Sequence, residues 1–183
     1  MRVIAGKYKG RVLFSPKDQA VRPTTDRIKE NVFNLLQTRV PDSEFLDLFG
    51  GSGAMTIEAL SRGAAHAVIV DCDRESVKLI KKNFAAIGVG QEAQILETDY
   101  AAAAERLKGR AFDLIFLDPP YRADFYEDVL NAISSRSLLK EGGVVVFEHA
   151  TDRKLVLPKG WTAKDERKYG SVTLSLLVYS SEY

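Results

Sequence analysis

The stretch "FLDLFGGSGAMTIEALSRG", Phe45 to Gly63, combines three signals whose order decides the fold. A short apolar run ending at Asp47 is typical of a buried strand, and the glycines that follow allow the backbone to turn sharply. A second apolar run has the character of a helix, and Gly63 is placed to end it. The stretch therefore predicts a strand, a glycine-rich turn and a helix, which is the opening unit of an α/β sheet.

The same alternation continues along the chain. Further apolar strands are predicted at "AVIVD", "AQILETD", "FDLIFLD" and "GGVVVFEH", with helical patterns between them. Such runs, each followed by a helix, indicate a mostly parallel sheet covered on both faces. No helix separates "WTAKDERKYG" from "SVTLSLLVYS", so the last two strands should form an antiparallel hairpin. We expect an α/β fold with a seven-stranded sheet.

The chain before this sheet has a different pattern. "RVIAGKYKGRVL" predicts a twisted hairpin that carries Arg2, Lys7, Lys9 and Arg11. A helix is expected from about Asp26 to Gln37, capped by Thr24, Thr25 or Asp26. We therefore divide the chain into a basic hairpin and helix extension, residues 1–40, and a main domain, residues 41–183.

Composition and charge exclude several classes of protein. The chain has 183 residues and a single cysteine, Cys72, so it holds no internal disulfide framework. It also has no Cys/His cluster, no long apolar run and no apolar signal-peptide region, which predicts a cytoplasmic protein without a membrane partner. Residues 1–30 hold eight Lys or Arg against three Asp or Glu, although the whole chain carries only +1. This asymmetry indicates a polyanionic partner or, alternatively, a solvated surface.

The glycine-rich turn has three candidate ligands, because ligands of an open parallel sheet bind beyond the carboxyl ends of its strands. A P-loop would need Gly-Lys-Ser/Thr, which is missing, and a dinucleotide fingerprint would need a small residue where Thr56 stands. The form D-x-x-x-G-x-G instead places the Asp47 carboxylate near the ammonium of an amino-acid-bearing nucleoside such as S-adenosylmethionine. A tight turn with a structural aspartate is the alternative.

The next strand ends supply further acidic residues. Asp71 follows the loop by about twenty residues and can accept hydrogen bonds from ribose hydroxyls, whereas Asp73 is expected to cap the next helix. Cys72 is expected either against an adenine or as a small buried hydrophobe. Asp99 can accept a hydrogen bond from an adenine amino group, with Tyr100 beside it.

The stretch "FLDPPY", Phe116 to Tyr121, ends the fourth strand in an unusual way. Pro119 and Pro120 have no N–H group, so the Asp118 carboxylate and the Pro119 carbonyl face the site as acceptors. Both can accept from one NH₂ group and orient its nitrogen for attack on a methyl sulfonium. Tyr121 offers a ring on which a flipped base can stack.

These motifs together resemble a known family. D-x-F-x-G-S-G followed by D-P-P-Y is similar to the amino-methylating branch of Rossmann-like class I S-adenosylmethionine-dependent methyltransferases. With "RVIAGKYKGR", "RPTTDRIKENVFN" and "DLFGGSGAMTIEALSRGA", the chain resembles the RsmD family of bacterial 16S rRNA guanine-N2 methyltransferases over nearly its whole length. Gly50 is a small departure, because alanine is about as common there in the family.

The resemblance implies a substrate and a set of site residues. It implies methylation of one guanine N2 amine in 16S rRNA, within the small ribosomal subunit or an assembly intermediate. We expect the protein itself to be a monomer. The cofactor residues would be Asp47, Phe49, Gly51, Gly53, Asp71, Cys72, Asp99 and Tyr100. The catalytic residues would be Asp118, Pro119, Pro120 and Tyr121. The RNA-binding residues would be Arg2, Lys7, Lys9, Arg11, Arg22, Thr24 and Arg27.

Other functions remain open at this level. The same chemistry on adenine N6 in RNA or DNA, or on a glutamine amide, more often uses Asn-Pro-Pro-Tyr. A nicotinamide-dependent oxidoreductase is disfavoured by Thr56, and an RNA-binding module without catalysis is a third possibility. Glu148 receives no role, and His149 is expected to be a partly buried structural histidine.

Overall fold

The computed structural model describes residues 1–16, 25–120 and 125–181, and all structural statements refer to these ranges. The helices there are α1 (Asp26–Leu35), α2 (Ala54–Ser61), α3 (Arg74–Ile87), α4 (Tyr100–Arg106) and α5 (Tyr126–Ser135). The strands are β1 (Glu44–Asp47), β2 (His66–Asp71), β3 (Ala93–Glu97), β4 (Phe112–Leu117), β5 (Leu139–Ala150), β6 (Trp161–Tyr169) and β7 (Val172–Tyr179).

The seven strands of these ranges form one sheet in the order β3-β2-β1-β4-β5-β7-β6. The pairs from β3 to β5 are parallel, and β7 pairs antiparallel with both β5 and β6. This confirms the predicted mostly parallel sheet with a C-terminal antiparallel hairpin. The chain moves outward from β1 to β2 and β3 and then returns to place β4 on the other side of β1, so the direction of strand order reverses between β1 and β4.

Helices cover the two faces of the sheet. Val68 and Val70 of β2 face the cluster that contains α4 and α5, whereas Ala67 and Ile69 face the helices α1, α2 and α3. This alternation follows from the two-residue period of a strand. Among the helices of the described ranges, none has the length and apolar character that crossing a membrane requires.

The N-terminal segment, defined here as residues 1–16, is a short antiparallel turn. Arg2 and Val12 form an antiparallel bridge, and the Val3 amide donates to the Arg11 carbonyl at 2.9 Å. Val3 and Leu13 are buried against α2 and α3. The hairpin prediction is therefore confirmed, although in reduced form.

Helix α1 begins where the sequence predicted. Thr25 caps it by accepting a hydrogen bond from the Ile28 amide. The helix ends at Leu35 rather than Gln37, because the chain turns after the capping residue Leu36. The predicted division of the chain at residue 40 stays a prediction.

Candidate active site

The reversal of strand order places β1 and β4 side by side at the carboxyl edge of the sheet. Asp47, the last residue of β1, is in register with Phe116 of β4, and the Leu48 amide donates to the Phe116 carbonyl at 3.3 Å. Asp118 lies two residues beyond Phe116, so both aspartates stand at this edge. Such a reversal is where open α/β sheets form their ligand crevice.

The glycine loop, defined as residues 50–53, is held by backbone hydrogen bonds within the loop and to β2. The Gly50 amide donates to the Val70 carbonyl and the Gly53 amide donates to the Gly50 carbonyl, both at 2.8 Å. Gly51 has φ +57° and Gly53 has φ +82°, which favour glycine. A β-carbon on Gly51 would meet no atom within 4 Å, so the backbone there borders open space.

Gly50 is restricted by its neighbours rather than by its backbone. A β-carbon on Gly50 would lie 2.5 Å from Cγ1 of Ile69. Alanine at this position would therefore require the Ile69 side chain to move. The departure from the family pattern is consistent with the packing of this chain.

Asp47 is a buried carboxyl, with only 1 % of its surface exposed. Its Oδ1 accepts from the Phe49 amide at 3.3 Å and its Oδ2 accepts from the Thr56 hydroxyl at 3.2 Å. Burial raises the pKa of Asp47 to about 7, and the charges of Asp118 and Asp71 add to the rise, while the two hydrogen bonds oppose it. A cation bound beside Asp47 would therefore favour its ionised form, with the proton released to solvent.

Asp71 links the second strand directly to the glycine loop. Its Oδ2 accepts from the Gly51 amide at 2.8 Å, and its Oδ1 accepts from the Asp73 amide at 2.9 Å. Burial raises the pKa of Asp71, which is half-buried. Its carboxylate oxygens retain further lone pairs, so Asp71 can hold the loop and also accept from a ligand.

The two residues after Asp71 have separate roles. Asp73 caps α3 by accepting from the Ser76 amide at 2.8 Å, as the sequence predicted. Cys72 is exposed, so its interpretation as a small buried hydrophobe is wrong. The strand ends at Asp71, and the chain leaves the core at the next residue.

Asp99 follows β3 by two residues, and the next residue, Tyr100, belongs to an aromatic cluster with Phe49 and Phe125. Asp99 is exposed and caps α4, with Oδ1 accepting from the Ala102 amide at 2.9 Å. Tyr100 stacks on Phe125 with ring centres 5.3 Å apart, and Phe49 lies 6.3 Å from Tyr100 and 6.1 Å from Phe125. Burial raises the pKa of the Tyr100 hydroxyl. Sequence reasoning gave no role to Phe125, whose only signal is its place shortly after the "FLDPPY" stretch.

The "FLDPPY" stretch leaves the sheet as expected. Asp118 and Pro119 are half-buried and Pro120 is exposed. Tyr121 lies outside the described residues, so its predicted stacking role has no structural counterpart here. Asp118 and Pro119 thus directly follow β4, the strand that pairs with β1.

His149 is held on both ring nitrogens. Its Nδ1 lies 2.9 Å from the Ala150 carbonyl and its Nε2 lies 2.8 Å from the Ser175 hydroxyl. Burial lowers the pKa of His149. These contacts agree with a structural histidine.

The N-terminal segment is fastened to α2 by a buried carboxylate. Glu58 is fully buried and accepts from the Ile4 and Ala5 amides at 2.9 and 3.0 Å. Its oxygens also lie 2.8 Å from Nε of Arg62 and 3.6 Å from Nζ of Lys29. Sequence reasoning missed Glu58, although an acidic residue inside the apolar helix "AMTIEAL" is a signal for a buried partner.

The predicted RNA-binding cations lie on the outer surface of this region. Arg2, Lys7, Lys9, Arg11 and Arg27 are exposed. Arg2 lies 4.0 Å from Asp26, Lys7 lies 3.9 Å from Glu92, and Arg11 donates to the Ala86 carbonyl at 2.5 Å. Arg22 and Thr24 lie outside the described residues. Within the ranges the structure covers, no group of three His, Cys, Asp or Glu side chains could hold a metal ion.

Comparisons with known proteins give a consistent picture. The profile of a family described as Conserved hypothetical protein 95 matches residues 1–178. The chain is 40% identical to YlbH of Bacillus subtilis over 163 residues, which cover 87% of this chain and 86% of YlbH. It is 33% identical to Ribosomal RNA small subunit methyltransferase D of Escherichia coli (strain K12) over 177 residues, covering 96% and 88% of the two chains.

A solved structure extends the likeness to the fold. The protein yhhF from Escherichia coli matches with a TM-score of 0.88 at 30% identity. The match covers 100% of this chain and 99% of yhhF. The N-terminal segment and the sheet are therefore matched together.

Proposed function

Because the chain belongs to the family described as Conserved hypothetical protein 95, the RsmD family, we propose that it transfers a methyl group from S-adenosylmethionine to the N2 amine of a guanine in small-subunit ribosomal RNA. The observation that carries this proposal is the adjacency of Asp47 and Asp118 at the reversal of strand order. One aspartate belongs to the strand that leads into the glycine loop, and the other begins the D-P-P-Y motif. The proposed cofactor site and the proposed amine site would thus share one edge of the sheet.

The residues present fit the proposed cofactor. The open space at Gly51 allows a ligand to approach the backbone closely, and Asp47 can become charged beside an ammonium. Asp71 can accept from ribose hydroxyls while it holds the Gly51 amide. S-adenosylmethionine would supply an electrophilic methyl group. Phe49, Gly53, Cys72, Asp99 and Tyr100 complete the proposed set.

The amine of the base would be held by acceptors alone. The Asp118 carboxylate and the Pro119 carbonyl would each accept one N–H from the amine, which aligns the nitrogen with the methyl group. Pro119 and Pro120 offer no competing N–H donor. Tyr121 is proposed to stack on the base. The amine needs no strong base before attack, because its proton becomes acidic only after methyl transfer.

The RNA would approach over the N-terminal segment. Lys7, Lys9 and Arg11 lie on the exposed face of a segment whose other face packs on α2 and α3. Lysine and arginine gain binding free energy with phosphates through counterion release. The relatives' names support ribosomal RNA as the substrate class, and the choice of guanine N2 rests on the family resemblance.

The proposal is tested by tritiated methyl transfer to small ribosomal subunits from a strain that lacks the protein, followed by nucleoside analysis. We expect N2-methylguanosine as the labelled product. N6-methyladenosine would instead show the adenine activity, and no incorporation together with no binding of S-adenosylhomocysteine would contradict a methyltransferase.

Asp118, which follows β4, and Asp113, which lies within β4, provide a matched pair of variants for this assay. Asp118→Ala is expected to lower kcat by about 100-fold or more, as for other groups that stabilise a transition state, while S-adenosylhomocysteine affinity stays within a few-fold. Asp113→Ala, near the opposite end of the strand, should leave kcat within a few-fold. Equal rates for the two variants would show that Asp118 does not hold the amine.

A further inference from the structure

Asn83 of α3 is a fully buried polar residue whose three hydrogen bonds all go to backbone groups of other segments. Its Nδ2 donates to the Ser52 carbonyl at 2.8 Å and to the Phe14 carbonyl at 3.0 Å. Its Oδ1 accepts from the Phe14 amide at 2.8 Å. One side chain therefore touches the glycine loop and the N-terminal segment at once.

Both backbone segments that Asn83 contacts, at Ser52 and at Phe14, are themselves held in place. Ser52 stands between Gly51, whose amide donates to Asp71, and Gly53, which is the N-cap residue of α2. Phe14 is held through both its amide and its carbonyl, so the chain cannot shift at this point without breaking a hydrogen bond. Loss of one of these bonds would leave a buried polar group without its partner, which is unfavourable, so the contacts resist movement.

The apolar packing around Asn83 joins the same elements. Val3 and Leu13 of the N-terminal segment pack in one buried cluster with Ala54 and Ile57 of α2 and with Ile80 and Phe84 of α3. A movement of the glycine loop would therefore be transmitted to the N-terminal segment, because the close-packed cluster between them resists deformation.

From this geometry we propose that Asn83 is a positioning residue that couples cofactor binding to RNA binding. The inference rests on the proposed function, since it needs the glycine loop to bind the cofactor and the N-terminal segment to bind RNA. A cofactor that orders the loop also fixes the Ser52 carbonyl, the Asn83 amide and the backbone of Phe14. RNA then meets an N-terminal segment that is already ordered, and the coupling is reciprocal.

The test measures the dissociation constant of the protein for small ribosomal subunits with and without saturating S-adenosylhomocysteine. For the natural protein we expect S-adenosylhomocysteine to tighten subunit binding by about fivefold or more, the lower end of typical couplings. For Asn83→Ala the ratio should fall to near one, even when each ligand still binds. The reverse measurement, S-adenosylhomocysteine affinity with and without subunits, should give the same ratio for each protein.

Ser61→Ala is the matched control. Ser61 also anchors the N-terminal segment, since its hydroxyl accepts from the Tyr8 amide at 2.9 Å and donates to the Ala5 carbonyl at 2.5 Å. It lies at the end of α2, away from the glycine loop. Ser61→Ala should weaken subunit binding equally with and without the cofactor analogue, so its ratio should match that of the natural protein. A ratio lost equally in both variants would overturn a specific role for Asn83.

Amide hydrogen exchange of the natural protein covers the case in which Asn83→Ala does not fold. We expect S-adenosylhomocysteine to slow exchange in residues 1–16 as well as in the glycine loop. The inference would be overturned if exchange slowed only in the glycine loop, or if S-adenosylhomocysteine left the dissociation constant for subunits of the natural protein unchanged. Methyl transfer would still support the proposed function in either case. Failure to bind S-adenosylhomocysteine at all would contradict both.

Discussion

At the residue scale, Asp47 has an ionisation state that the solution pH and the ligand can both change. Its carboxyl is buried, and its pKa is raised to about 7 mainly by that burial. Near neutral pH the carboxyl is therefore partly protonated before any ligand binds. An ammonium group beside it would favour the ionised form, so ligand binding and deprotonation of Asp47 should be linked.

This linkage predicts the pH dependence of cofactor affinity. Only about a tenth of Asp47 is ionised at pH 6, and about three quarters at pH 7.5, given a pKa near 7. The affinity for S-adenosylhomocysteine should therefore rise by about eightfold over this interval. Calorimetric titration at several pH values measures it directly.

Asp47→Asn is the control for this pH dependence. The amide cannot ionise, so binding of S-adenosylhomocysteine should be weaker at pH 7.5 and nearly independent of pH. The stability of the natural protein should change in the opposite direction, because the folded carboxyl keeps its proton to a higher pH than the unfolded one. Raising the pH from about 4 to 7 should thus lower the Asp47 contribution to stability. A flat affinity profile in the natural protein would contradict this account of Asp47.

At the element scale, the N-terminal segment depends on one close contact with the end of α2. Gly6 and Gly10 have nearly the same backbone φ, +82° and +83°, a conformation that residues with a β-carbon rarely adopt. A β-carbon on Gly6 would lie 1.8 Å from the Ser61 carbonyl oxygen, whereas one on Gly10 would meet no atom within 4 Å. Substituting Gly10 therefore tests the cost of the backbone conformation alone, whereas substituting Gly6 adds the cost of a steric clash with α2.

We expect Gly10→Ala to destabilise the protein by about 1 kcal/mol, the cost of a left-handed residue. Gly6→Ala should cost about 3 kcal/mol, because the segment must also move away from α2 and weaken the hydrogen bonds that the Lys7 and Tyr8 amides donate to Ser61. Urea unfolding followed by circular dichroism gives both values. Equal losses in the two variants would mean that the contact with Ser61 is not maintained in solution.

At the scale of the whole molecule, the carboxylates of the candidate active site and the exposed cations of the N-terminal segment lie in different regions, although Arg2 and Lys7 also pair with the acidic residues Asp26 and Glu92. The carboxylates Asp47, Asp71 and Asp118 stand at the carboxyl edge of the sheet, and exposed cations lie on the N-terminal segment packed against α2 and α3. A polyanion attracted by the cations would thus be held near an edge that itself repels phosphate. This arrangement favours a substrate that presents a neutral base to the site.

The cations of the N-terminal segment should make RNA binding depend on salt concentration. Lys9→Ala is expected to reduce the slope of log affinity against log salt by about 0.7 to 0.9, the value for one phosphate contact. It should raise KM for small subunits with kcat nearly unchanged. Lys108→Ala is the control, because this exposed lysine follows α4, whose end returns to the amino edge of the sheet. The same loss of slope in both variants would mean that RNA does not prefer the N-terminal segment.

Local patterns were enough to predict most of the fold. Apolar runs that end at Asp47 and Asp71 mark two of the strands, and the glycine loop has a characteristic spacing, so both features are visible in short windows of sequence. The predicted Rossmann-like class I methyltransferase fold is confirmed by the sheet order and by the match to yhhF. The end of α1 was placed two residues too late, because Leu36 fits a helical pattern although it caps the helix.

The sequence by itself determined the existence of the strands, the glycine loop, the missing N–H donors of Pro119 and Pro120 and the basic character of the N-terminal segment, since each depends on neighbouring residues. Only the tertiary structure decided how these parts are joined. Glu58 binds amides more than fifty residues away, and Asn83 joins Phe14 to Ser52 across separations of 69 and 31 residues. The identity of such a polar residue does not reveal its distant partners, because these segments become neighbours only when the apolar faces are buried and the chain has folded.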